Sequence, residues 1–336
     1  MKKVLLTGIS GYIGLHCAVE LLKKGYTVRG SVRNLKKADS IRASLAAHVD
    51  IEDKLEFCEL NLLANDGWNE AAVGCDFLMH VASPYFSKVP KDEQDLIRPA
   101  VRGTSRALRA AHKAGIRRVV LTSSIAAMLG ELEGMPNMDE STWTNTESMS
   151  ATPYIKSKTI AEKGAWDFAN KHDIELVTIH PGPVYGPPID ENLNGESMSF
   201  FVRILKGEIP GMFKGCINLS DVRDVAKIHV KALENKEAKG HRFIVASNRG
   251  VEYSAVPEIL KSHGYEVSDK IIPTFLIKLI GLFNSEMKGV KTFAGKEFTG
   301  DTAMTKTIFN WEPIPLERTV LDTAEKIEEL IKESGR

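Results

Sequence analysis

The segment Val4-Leu5-Leu6-Thr7-Gly8-Ile9-Ser10-Gly11-Tyr12-Ile13-Gly14 constrains this chain more than any other. An apolar run ends in a glycine-rich turn that opens directly into a helical pattern. Gly8 permits a sharp turn, Gly11 lets the backbone approach a pyrophosphate, and Gly14 lets helix and strand pack closely. Free N–H groups at a helix start attract anionic phosphates. Thr7, Gly8, Gly11, Tyr12, Ile13 and Gly14 are therefore expected to hold a dinucleotide.

The same alternation continues downstream. Val4–Thr7, Thr27–Val32, Leu55–Glu59, Phe77–His80, Arg118–Ser123 and Leu176–His180 read as strands. Tyr12–Lys24, Leu35–Ala47, Asn69–Val73, Gln94–Ala114 and Ile155–Lys171 read as helices. Regular alternation with short connections predicts an α/β fold, a doubly wound parallel sheet with helices on both faces. After His180 the proline–glycine punctuation thickens and a polar loop, Asp190–Ser199, follows. Ser220–Leu233 and Arg242–Val245 are expected to return to the sheet as a helix and a strand. The reading is a Rossmann domain of residues 1–189 and 216–249, with a smaller non-contiguous substrate lobe of residues 190–215 and 250–336.

The interval after the second strand selects the cofactor. An NAD site places an acid about 20 residues beyond the glycines. No Asp or Glu occurs between Glu20 and Asp39, and the interval holds Arg29, Arg33, Lys36 and Lys37 instead. Arg33 stands just past the second strand, where a guanidinium suits a 2′-phosphate. NADP(H) is the expected cofactor, with Arg33 and Lys37 on the phosphate.

Tyr154-Ile155-Lys156-Ser157-Lys158 places a phenol and an ammonium four residues apart, hence on one helix face. A neighbouring Lys⁺ lowers a phenol's pKa, and in the reductive direction Tyr154 would protonate a carbonyl oxygen. Thr122-Ser123-Ser124, at the end of a predicted strand, offers hydroxyls to hold that carbonyl. Ligands meet an open parallel sheet at such strand ends.

With these motifs in view, the chain resembles the extended short-chain dehydrogenase/reductase superfamily, and within it the dihydroflavonol-4-reductase and cinnamoyl-CoA-reductase-like group. The likeness rests on Thr7–Gly14, Val32-Arg33, His80–Pro84, Thr122–Ser124, Tyr154–Lys158 with Ala161-Glu162-Lys163, His180–Pro187 and Asp221–Val225. It implies a Ser124–Tyr154–Lys158 triad, Val81, Ala82 and Ser83 along the cofactor, and Pro181, Gly182 and Val184 near the nicotinamide. Asn61, followed by Leu62, stands where an aspartate often meets the adenine. Ala100 stands where many extended members carry an asparagine, and Leu129 where plant flavonoid reductases carry one.

Tyr85, Phe86, Leu129, Met198, Phe201 and Met212 are the candidate substrate-pocket residues, beside Ser124. His80 and His180 read as structural, Trp143 as a loop anchor, and Asp221 with Asp224 as helix-capping acids. Balanced charge, 44 basic against 44 acidic residues, disfavours nucleic acid as a partner. Cys17, Cys58, Cys75 and Cys216 form no cluster with ligand spacing, so neither a metal nor a disulfide framework is expected. Val4–Leu6 is too short for a signal peptide. Ile271–Phe283, broken by Pro273 and Gly281, reads as a buried helix rather than a membrane span. A cytoplasmic monomer or homodimer that reduces an aldehyde or ketone is the expectation. The alternatives are a nucleotide-sugar epimerase or dehydratase, and a non-enzymatic NADP-sensing protein.

Overall fold

The computed structural model describes residues 1–84, 92–133, 137–276 and 293–333. The first elements are β1 (Lys3–Thr7), α1 (Tyr12–Lys23), β2 (Thr27–Val32), α2 (Ala38–Ala46), β3 (Leu55–Glu59), α3 (Trp68–Ala72), β4 (Phe77–His80), α4 (Gln94–Lys113) and β5 (Arg118–Thr122). After them come β6 (Asn137–Met138), α5 (Pro153–Lys171), β7 (Glu175–Pro181), β8 (Val184–Tyr185), α6 (Glu196–Leu205), β9 (Met212–Phe213), β10 (Cys216–Ile217), β11 (Ser220–Asp221), α7 (Val222–Glu234) and β12 (Arg242–Val245). The C-terminal part adds β13 (Val251–Glu252), α8 (Ala255–Ser262), β14 (Ile271–Ile272), β15 (Thr299–Gly300), α9 (Ala303–Phe309) and α10 (Leu316–Glu333).

Seven strands form one parallel sheet in the order β12-β7-β5-β4-β1-β2-β3. The chain winds outward from β1 through β2 and β3, then returns to β4 and winds the other way. The order therefore reverses between β1 and β4, which pair with Thr7 opposite His80. A crevice opens at the carboxyl ends of such a strand pair, and ligands bind there.

Alternation along β1 assigns its side chains to two cores. Val4 and Leu6 join the cluster beneath α1, α2 and α7, with Val28 and Phe243. Leu5 faces the opposite cluster beneath α3, α4 and α5, with Leu78, Val119 and Leu121. Each fully buried side chain of this size contributes roughly 1.5–3 kcal/mol. A third cluster joins Met198, Phe201 and Ile204 of α6 to Leu260 of α8 and to Val320, Ala324 and Ile327 of α10, residues expected in the smaller lobe. Phe309 and Trp311, at the end of α9, pack against the sheet-side cluster instead.

Three local expectations change. Leu35–Lys37 forms a 3-10 turn rather than the start of a helix, because the Asn34 side chain accepts from Lys36 N at 2.9 Å and sets the turn. The Asp190–Ser199 stretch is not all loop, since α6 begins at Glu196. Ile271–Ile272 pairs with Met212–Phe213 as strand, and Phe275 is 68% exposed, so this part is not a buried helix. Residues 277–283 lie outside the described residues. Among the described residues no helix is long and apolar enough to cross a membrane.

Candidate active site

The glycine turn has the geometry its residues allow. Gly8 adopts φ +74°, a left-handed conformation that a side chain disfavours. A Cβ there would come within 2.8 Å of the Ala82 Cα, so β1 and β4 end in backbone contact. A Cβ on Gly14 would meet the Gly8 carbonyl oxygen at 2.1 Å. Ala82 N donates to Thr7 Oγ1 at 3.2 Å, and Thr7 Oγ1 lies 2.7 Å from His80 Nδ1. No side chain caps α1 at Gly11, leaving its first N–H groups to an incoming anion. This cradle fits the pyrophosphate of a dinucleotide. Arg33 follows β2 directly and is exposed, as are Lys37 and Asn61, so all three can meet solute. The Leu62 side chain is committed to packing on Gly103.

The three hydroxyls after β5 have three different fates. Thr122 Oγ1 lies 2.7 Å from His229 Nε2, which ties β5 to α7. Ser123 Oγ donates to Glu162 Oε2 at 2.5 Å. Ser124, in extended backbone, accepts from Ala126 N at 3.2 Å and donates to the Pro181 carbonyl oxygen at 3.4 Å, and its hydroxyl is close enough to Tyr154 to favour the phenolate. Geometry thus singles out Ser124 among three adjacent candidates.

Tyr154 and Lys158 stand one turn apart in α5. Thr152 caps this helix by accepting from Ile155 N at 3.3 Å, and Pro153 occupies its first turn. Lys156 points elsewhere and pairs with Glu93 at 2.9 Å. Burial draws the Lys158 ammonium down to about 8, against the opposing charge of Glu162. The expectation that Lys158 pulls the Tyr154 phenol down is not met. Burial and the Glu196 carboxylate push it up to about 12, with the Ser124 hydrogen bond opposing them. Tyr154 keeps 37% of its surface exposed, so it stands at the mouth of the crevice. Desolvation disfavours the charged phenolate, and the nearby carboxylate disfavours it further.

Several sequence candidates are placed elsewhere. Met198, Phe201 and Met212 are at most 1% exposed and fill the core of the smaller lobe, with Phe201 edge-on to Tyr185 at 5.0 Å. Leu129, 2% exposed, packs with Met128, Leu132 and Ile155. These four are core residues, because an apolar side chain suits a packed interior as well as a pocket wall, and here the fold closes around each of them. Tyr85 and Phe86 lie outside the described residues. His80 is a structural residue, with burial first and Lys158 second lowering it to about 3. Trp143 anchors its loop beneath the Arg242 guanidinium, 3.7 Å from the ring centroid. Asp221 caps α7 by accepting from Arg223 N at 2.8 Å.

Two carboxylates near the site were not among the candidate site residues. Glu196 enters from the smaller lobe, and nothing in its spacing points to Tyr154. Glu162 could have been found, because it repeats the Tyr154–Lys158 interval and so shares their helix face.

With this geometry in place, comparison with known proteins is informative. The model of the NAD dependent epimerase/dehydratase family matches residues 4–246. Cinnamoyl-CoA reductase CAD2 of Medicago truncatula is 35% identical over 271 residues, covering 77% of this chain and 79% of that enzyme. An anthocyanidin reductase of Vitis vinifera, the (2S)-flavan-3-ol-forming enzyme, is 31% identical over 290 residues, 81% of this chain and 83% of its own. The crystal structure of yeast methylglyoxal/isovaleraldehyde reductase Gre2 complexed with NADPH superposes with a TM-score of 0.79. It covers 99% of both chains at 26% identity.

Proposed function

The chain belongs to the NAD dependent epimerase/dehydratase family, the extended short-chain dehydrogenase/reductases, and from that premise we propose that it reduces an aldehyde or ketone to an alcohol with NADPH. It is an NADP(H)-dependent oxidoreductase of the dihydroflavonol-4-reductase and cinnamoyl-CoA-reductase-like group. The carbonyl substrate and the residue roles are our reading.

The observation that carries the reading is the placement of Tyr154 and Lys158 one turn apart on α5, with Ser124 close enough to act on the Tyr154 phenol and the adjacent Thr122 and Ser123 hydroxyls engaged elsewhere. NADPH, when bound, supplies the hydride that reaches the carbonyl carbon. Ser124 orients the carbonyl oxygen towards the phenol. Tyr154 gives its proton to that oxygen, and a phenol held near 12 is fully protonated at neutral pH, as a donor must be. Lys158 stabilises the phenolate left behind and is placed to hydrogen-bond the nicotinamide ribose. The glycine turn of Thr7–Gly14 cradles the pyrophosphate, Val81–Ser83 and Pro181–Val184 run beside the cofactor, and Arg33 with Lys37 meets the 2′-phosphate. The cluster that α6, α8 and α10 share would form the substrate side of the crevice.

The test is the loss of reduced-nicotinamide absorbance with NADPH or NADH against a panel of carbonyl compounds. The panel holds aromatic aldehydes, aliphatic ketones, diketones, a dihydroflavonol and an acyl-CoA thioester. Oxidation that favours NADPH with simple aldehydes or ketones is expected. Turnover of a nucleotide sugar in place of all of these would replace the reading with an epimerase or dehydratase. Tight NADP⁺ binding with no turnover would indicate a sensor.

A further inference from the structure

Glu162 is 1% exposed and lies on α5 one turn beyond Lys158. Its Oε2 accepts from Ser123 Oγ at 2.5 Å and from His180 Nε2 at 2.8 Å. Its Oε1 accepts from Arg242 Nε at 2.7 Å, Trp166 Nε1 at 3.2 Å and Thr178 Oγ1 at 3.3 Å. Five donors from α5, β5, β7 and β12 therefore converge on one carboxylate. The Arg242 guanidinium is itself fixed, donating to the carbonyls of Glu140 and Thr142 at 2.9 and 2.6 Å.

A buried ion pair alone is weak evidence of anything beyond structure. Two further observations direct this one at the reaction. Ser123 immediately precedes Ser124, so the Glu162 bond fixes the backbone that presents Ser124 to Tyr154. Lys158 and Glu162 also line one small cavity with Ala82, Ala100, Thr104 and Ser123. Among the described residues no other ionisable side chain lines it.

We propose that Glu162 is a positioning residue of the reduction, anchoring Ser123 and so the backbone that presents Ser124, and placing a carboxylate in the cavity it shares with Lys158. The proposal rests on the carbonyl-reductase reading above. Burial works against the lysine's charge, and Glu162 works for it. The other groups around the pair are accounted for by element. β4 brings His80, held low by burial. β7 brings His180 and β12 brings Arg242, both bonded to Glu162. α6 brings Glu196, which acts on Tyr154. α4 brings Ala100 and Thr104, which carry no charge.

The experiment compares the unaltered chain with Glu162→Gln, Glu162→Asp and Ser123→Ala, using the pH dependence of kcat and of the NADPH dissociation constant from about pH 6 to about pH 10. In Glu162→Gln the alkaline fall of both is expected about one unit lower, with kcat near neutrality down about tenfold and the carbonyl KM little changed. Glu162→Asp retains the charge and is expected to keep the parental alkaline limb. Ser123→Ala is expected to lose several-fold in kcat without moving that limb. A Glu162→Gln profile lowered uniformly, with its limb unmoved, reduces Glu162 to a structural ion pair and overturns the proposal. If Glu162→Gln fails to fold, Ser123→Ala decides, and parental kcat in that variant overturns the proposal. If the parent binds NADPH but turns over no carbonyl, the carbonyl reading falls and the NADPH limb alone judges Glu162.

Discussion

Gly8 and Ala82 are in backbone contact: a Cβ built on Gly8 would lie 2.8 Å from the Ala82 Cα and 2.9 Å from its nitrogen. The two residues follow β1 and β4, the strands between which the winding reverses. The contact leaves the crevice floor no tolerance for a side chain.

Gly8→Val is accordingly expected to fail twice over. The left-handed φ costs about 1–3 kcal/mol for a residue with a β-branch, and the clash falls on backbone that cannot step aside. A lower melting temperature and at least a tenfold loss of NADPH affinity are expected, read by thermal denaturation and cofactor fluorescence. Parental affinity in a folded variant would show that the turn does not hold the pyrophosphate.

Arg33 is exposed directly beyond β2. A charge-assisted bond to a 2′-phosphate is worth about 1.5–3 kcal/mol, roughly ten- to a hundredfold in affinity. Arg33→Ala is expected to raise the KM for NADPH by that factor and to leave the KM for NADH nearly unchanged. Equal changes for the two cofactors refute the assignment.

Tyr154→Phe removes the proton and keeps the ring. Proton transfer by a positioned acid contributes about 10²–10⁴ in rate, so kcat is expected to fall at least about a hundredfold. The NADPH dissociation constant, measured alongside, is expected to stay within about twofold. Retained turnover sinks the role of Tyr154.

The pH–rate profile follows from two groups. Lys158, drawn down to about 8, is charged below that value and neutral above it. Tyr154, raised to about 12, keeps its proton throughout. Reduction is therefore expected to be flat around neutrality and to decline as pH rises through about 8. An alkaline limb that persists unmoved in Lys158→Met would have to belong to another group.

Glu162 also governs acid stability. Its partners hold its carboxyl well below the ordinary value of about 4.3. A depressed folded value stabilises the fold above the unfolded pKa, and that contribution is lost as pH falls towards the folded one. Between about pH 5 and about pH 3, the melting temperature of Glu162→Gln is expected to fall less steeply than that of the parent. Parallel slopes would mean the carboxylate is not held ionised by its neighbours.

Much of this molecule was legible in order along the chain. The boundaries of β2, β3, β4 and β12 fall where the β-branched or apolar runs place them. The four-residue spacing of Tyr154 and Lys158 is likewise a local regularity, fixed by neighbours in sequence. The 3-10 turn at Leu35 was less visible, because a single Asn34 side chain decides between two nearly equal backbone geometries.

The sequence by itself determined the parallel alternation, the glycine cradle with basic residues beyond β2, and the shared helix face of a phenol and an ammonium. Each depends on backbone geometry over a few residues. Only the tertiary structure decided that Thr122 meets His229 and Ser123 meets Glu162, and that Met198, Phe201 and Leu129 are core rather than pocket wall. It also decided that the phenol moves up rather than down, and that Glu162 gathers Ser123, His180 and Arg242 from three different strands. Burial and charge balance are sums over groups far apart in the chain, so their sign is settled only when the fold brings those groups together.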